Sequence, residues 1–150
     1  MTDLRELYND MILEHGKKPR NCRALGAGCC HAEGYNPLCG DHFTVYVKLD
    51  GDVVADASFE GTGCAISTAS ASIMTQLVKG KTVAEAEALF TLFHDLLTST
   101  VDADAESERL DKLIAFKDVP KYPLRVKCAT LPWHALRAAL RGEGKPVSTE

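Results

Sequence analysis

No stretch of this chain approaches the roughly 18 consecutive apolar residues that a membrane-spanning helix needs, so no membrane partner of that kind is expected. Basic charge is not in excess either, because 17 Lys and Arg stand against 21 Asp and Glu for a formal net charge of −4. Nucleic acid and anionic membrane surfaces are therefore poor main partners. The start, MTDLRELYND, mixes acids among its apolar residues and lacks the pattern of a secretory signal. Internal repeats are missing, as is any shift in composition that would mark a second domain. The expectation is one cytoplasmic domain over residues 1–150, long enough to bury a core without staples.

In a reducing compartment the six cysteines read as ligands or reactive thiols rather than as disulfides. Cys29 and Cys30 are adjacent, an awkward geometry for a stapled scaffold.

Periodicity orders the elements. Leu4, Leu7, Tyr8, Met11 and Ile12 recur at helical spacing, predicting an opening helix that ends near Gly16. Residues 17–40 are rich in Gly and Pro, show no period and read as loop. The period then becomes two. Phe43, Val45, Val47 and Leu49 alternate with Thr44, Tyr46 and Lys48, Asp50-Gly51 makes a tight turn, and Val53, Ala55, Ala57 and Phe59 continue. A short third strand is expected near Phe59 to Gly63.

After Cys64 the pattern is helical. A helix over about 67–79 closes at Gly80, and Thr82 with Glu85 has the spacing of a capping box for the next. An acidic segment, 98–108, precedes a short helix carrying Leu110, Leu113 and Ile114. Pro120 and Pro123 break the chain. A last helix is expected from about Thr130 to Arg141 with Pro132 in its first turn, then a loose tail over 143–150. Strands first and helices afterwards predict an α+β fold, with helices covering one face of a small antiparallel sheet.

The stretch NPLCGDHF places Cys39 and Asp41 two apart at the edge of a strand, where both side chains share a face if the chain is extended. Cys64, in EGTGCAIS, and Cys128, in RVKCATLPW, each precede a predicted helix, whose positive end favours thiolate. Together these are four candidate donors of a kind suited to zinc or to an iron–sulfur cluster, although their spacing matches no zinc finger. Three thiolates and a carboxylate around a divalent ion leave excess negative charge, which Arg125 is placed to offset, with a forked hydrogen bond to Asp41 as one route.

Other features carry less. GTGCAI lacks the third glycine and the βαβ setting of a dinucleotide loop. Cys22, Cys29, Cys30 and His31 read as plain loop, since neighbouring thiols chelate one ion poorly. His15, His42, His94 and His134 share no spacing, and DADAESE reads as a solvated linker.

Four stretches taken together, LYNDMILEHGKKPRN, NPLCGD, FEGTGCAISTASASIM and RVKCATLPWHAL, resemble the SufU-type branch of the IscU/NifU N-terminal group, the iron–sulfur cluster assembly proteins. The similarity runs in order from Leu7 to Leu140. It implies a three-stranded antiparallel sheet in an α+β fold, and zinc held by Cys39, Asp41, Cys64 and Cys128. It also implies sulfurtransferase activity, with Cys39 accepting persulfide sulfur from a SufS-type cysteine desulfurase and passing it towards a downstream assembly scaffold. Arg125 would assist. The alternative within the group is a scaffold that carries a transient [2Fe–2S] cluster. Scaffold members have a histidine where this chain has Lys127, whose ammonium offers no lone pair. They also have LPPVK where this chain has YPLRVK, and a shorter segment between Cys64 and Cys128.

Overall fold

A computed structural model of the chain describes residues 4–18, 30–36, 40–98, 106–117, 119–141 and 147–148. Strand β2 (Asp41–Asp50) buries Phe43, Val45 and Val47 fully and leaves Thr44, Tyr46 and Lys48 at least partly open, as the period of two requires. It turns at Asp50-Gly51 into β3 (Val53–Thr62), antiparallel from Asp50↔Val53 to His42↔Thr62. β3 is one long strand, so the separate short strand expected near Phe59 is only its second half.

The third antiparallel strand comes from the stretch read as loop. β1 (Cys30–Asn36) pairs with β2 from Cys30↔Val47 to Asn36↔Asp41. Its inward residues are Ala32, Gly34 and Asn36, too small or too polar to show an apolar alternation. At Gly34 the packing leaves little room. A Cβ on Gly34 would meet Leu131 Cδ1 at 3.1 Å and Ala135 Cβ at 3.3 Å. The expected loose tail also contains structure, because β4 (Val147–Ser148) lies parallel to β1 beside Gly34 and Tyr35. The free edge of β1 supplies the unpaired backbone groups that such an addition needs. The sheet order is β3-β2-β1-β4.

The helices are α1 (Leu4–Lys17), α2 (Ala65–Val78), α3 (Val83–Leu97), α4 (Ser107–Leu110) and α5 (Pro123–Leu140), with 3-10 turns at Asp111–Phe116 and Val119–Lys121 between the last two. The capping box at Thr82 forms: the Glu85 N–H donates to Thr82 Oγ1 and the Thr82 N–H to Glu85 Oε1, both at 3.1 Å. Helix α5 begins at Pro123 rather than near Thr130, so Pro132 falls in its interior. Proline fits a first turn because that N–H has no intrahelical partner. Inside the helix it withholds the N–H that the carbonyl four residues back, that of Cys128, would accept.

Helix α5 packs across β1 and β2, and α2 packs on β3, α1 and α5. Trp133 is fully buried against Phe90 and Phe93, and Phe93 meets Phe116 edge-on at 5.4 Å. Each such ring contributes about 1.5–3 kcal/mol by leaving water. Leu110 and Leu113 are fully buried too, anchoring the segment after α4. The α+β architecture with helices on one face of an antiparallel sheet is as expected.

Candidate metal centre

Asp41 opens β2 with its side chain buried. Its Oδ1 accepts the Cys64 N–H at 2.8 Å, and its Oδ2 lies 4.0 Å from Cys64 Sγ. The residue between β3 and Cys64 has to be glycine. A Cβ on Gly63 would stand 2.7 Å from Asp41 Oδ1, 2.6 Å from Ser67 Oγ and 2.7 Å from Phe43 Cζ. The connection comes this near the carboxylate only because it carries no side chain.

Cys64 is the N-cap of α2, and its Sγ accepts the Ser67 N–H at 3.5 Å. Ser67, fully buried, holds its hydroxyl 3.4 Å from that sulfur and donates to the Cys64 carbonyl at 3.1 Å. The third donor is Cys128, buried on α5. One donor atom from each of Asp41, Cys64 and Cys128 lies within 4.8 Å of the others. The Cys64 thiol is pushed down to about 5, chiefly by hydrogen bonding to Cys128 and further by Ser67, against the opposing effects of burial and the Asp41 charge. The helix-end argument holds for Cys64. For Cys128 it is corrected: the earlier start of α5 places this cysteine after the first turn, away from the positive terminus.

Two thiolates and one carboxylate at this separation suit a tetrahedral ion of borderline softness such as zinc. Cys39, the remaining expected ligand, lies outside the described residues, as do Cys22 and Cys29. Gly40 beside it is in a turn, its N–H donating to the Asn36 carbonyl at 2.9 Å. Cys30 and His31 sit exposed at the start of β1, where His31 stacks with Tyr46. Neither belongs to the donor cluster.

A groove of about 600 Å³ opens over the sulfurs, walled by Ile12 and Leu13 of α1, Ala65 and Ile66 of α2, and Leu124 and Arg125 of α5. Leu13 and Leu124 are 49% and 61% exposed. Arg125 thus shares the groove with Cys64 and Cys128, but its guanidinium lies over the Tyr122 ring at 4.6 Å. Among the described residues it makes no ion pair with Asp41, so the expected forked bond is not formed here.

The hydroxyls of α2 escaped the sequence reading. Ser70 Oγ donates to the Ala129 carbonyl and accepts the Trp133 indole N–H at 3.1 Å, and Ser72 Oγ lies 2.7 Å from His15 Nδ1. The signal was the run STASAS in a helix due for burial, because each buried hydroxyl requires a partner.

A family model described as the NifU-like N-terminal domain matches residues 7–141. The chain is 43% identical over 141 residues to the zinc-dependent sulfurtransferase SufU of Bacillus subtilis (strain 168), covering 94% of each chain. It is 36% identical to the iron–sulfur cluster assembly scaffold protein IscU of Streptococcus pyogenes serotype M1, covering 94% of this chain and 87% of that one. Among solved structures, the N-terminal part of a nitrogen-fixing NifU-like protein from Brucella abortus superposes with a TM-score of 0.83 at 28% identity, over 93% of this chain and 96% of that one.

Proposed function

The chain belongs to the NifU-like N-terminal domain family, and from that premise we propose that it is a zinc-dependent sulfurtransferase of iron–sulfur cluster assembly. It takes persulfide sulfur from a SufS-type cysteine desulfurase in the cytoplasm and hands it to a downstream assembly scaffold. The observation that carries this reading is the convergence of Asp41, Cys64 and Cys128 beneath an open groove. The relative named as a zinc-dependent sulfurtransferase supports it.

In this reading Asp41, Cys64, Cys128 and Cys39 hold the zinc. Bound zinc keeps its cysteine ligands as thiolates near neutral pH. Cys39 is the sulfur acceptor. Its thiolate attacks the outer sulfur of the desulfurase persulfide, the old S–S bond breaks, and its electron pair leaves on the desulfurase cysteine. The product is a persulfide on Cys39. Leu13 and Leu124 offer the desulfurase an apolar rim, and Arg125 offsets negative charge as the two sulfur centres approach.

Similarity to IscU-named scaffold proteins favours a second reading, in which the same residues carry a transient [2Fe–2S] cluster. Metal analysis together with mass spectrometry, after incubation with a cysteine desulfurase and free cysteine, separates the two. Sulfur transfer predicts bound zinc and a mass gain of one sulfur on Cys39. A stable, transferable cluster with little effect on desulfurase turnover would establish the scaffold instead.

A further inference from the structure

A second cleft lies on the far half of α5, where it crosses α3. Phe90, buried, is its floor. His134 meets that ring edge-on with centroids 5.0 Å apart, His94 stands 6.5 Å from it, and the Arg137 guanidinium lies over its face at 4.3 Å. Thr91 completes the wall, its hydroxyl already donating to the Glu87 carbonyl. Three basic side chains therefore share one concavity, in a chain whose formal net charge is −4.

The neighbouring carboxylates leave the Arg137 guanidinium without a counter-charge. Glu87 is taken by Arg141, with Nε at 2.9 Å, and Asp95 stands 3.9 Å from His94 Nδ1 at the rim. Among the described residues the Arg137 guanidinium has no ion-pair or hydrogen-bond partner, only the Phe90 ring. A guanidinium beside a half-buried imidazole makes protonation of that ring costly. Burial, then the charges of Arg137 and His94, hold the His134 ring down to about 4. An anion seated among them offsets the charge of Arg137 and accepts hydrogen bonds from the rings.

We propose that the cleft formed by His94, His134 and Arg137 over Phe90 binds a small oxyanion such as phosphate or sulfate. Its volume of about 210 Å³ lies below the roughly 300 Å³ at which pockets for larger organic ligands begin. The guanidinium fork supplies two parallel donors to neighbouring oxygens, and the imidazoles supply the rest. The site is separate from the thiol cluster, and its occupation does not depend on what that cluster binds.

The test is titration of the whole protein with inorganic phosphate, sulfate and AMP at constant ionic strength, read by calorimetry and by the imidazole NMR signals of His94 and His134. Expected are saturable binding of phosphate and sulfate, shifts confined to those two rings, and a raised titration midpoint for His134. Arg137→Gln should weaken phosphate binding about tenfold or more, with bound zinc unchanged. Imidazole signals that do not respond to phosphate in the wild-type chain would overturn the proposal, whether or not the variant folds. Binding that Arg137→Gln and His94→Gln leave intact would overturn it as well. AMP binding more tightly than phosphate would overturn the assignment to a small free ion.

Discussion

Gly63 serves the thiol cluster by what it does not carry. Gly63→Ala forces a methyl group against the Asp41 carboxylate, Ser67 and Phe43, so a stability loss of about 1–3 kcal/mol is expected. Zinc affinity should fall with it, because Asp41 is the group displaced. Urea unfolding with and without chelator, and competition against a chromophoric chelator, measure the two effects. An unchanged affinity would mean that residue 63 does not position the carboxylate. At this scale the sequence was informative about chemistry: Asp41, Cys64 and Cys128 stood out as donor types beside turns and helix starts, and they do meet. It was silent about Ser67, because a serine in a helix looks the same whether it faces water or a sulfur.

Between elements, the contact of α2 with α5 runs through Ser70, which bonds both the Ala129 carbonyl and the Trp133 indole. Ser70→Ala strands that buried N–H, and a loss of about 1–3 kcal/mol is expected in thermal unfolding. The exposed capping box offers a milder comparison: Thr82→Ala should cost about 1 kcal/mol, without affecting zinc content, since α3 contributes no donor. Loss of zinc from Thr82→Ala but not from Ser70→Ala would invert this account of which helices hold the centre. The box itself was readable because its two partners lie three residues apart in the chain. Strand β1 was not, because its inward residues show no apolar alternation and its Gly34 is dictated by a helix about a hundred residues away. The start of α5 was misplaced because two prolines, Pro123 and Pro132, each fit a first turn locally. Only packing over β1 and β2 decides that the helix runs through the second.

For the molecule as a whole, acid sensitivity has a named contributor. His134 stays neutral in the fold down to about 4, whereas its ordinary value is 6.5. The unfolded chain therefore binds the extra proton first, so stability is full above 6.5 and is lost as pH falls towards 4. His134→Gln should flatten the fall in melting temperature across that window, measured in buffer free of phosphate and sulfate. A slope identical to wild type would assign the acid loss to other groups. Chelation is the other global test. The donors belong to β2, α2 and α5, so a bound zinc ties distant parts of the fold together. Stripping it from protein kept in free zinc at 100–1,000 times the dissociation constant should cost about 2.7–4.1 kcal/mol, visible as a lower melting temperature that added zinc restores.

That scattering of donors along the chain has a bearing on how the protein matures. While α5 is still inside the ribosomal tunnel, a nascent chain presents the proposed donors without Cys128, an incomplete set that grips an ion less tightly. Loading therefore waits until translation has passed α5 and that helix has docked on the sheet. On the zinc-site proposal, a tightly held ion would then mark a chain long enough for the fold to close, and products truncated before Cys128 would hold it less tightly.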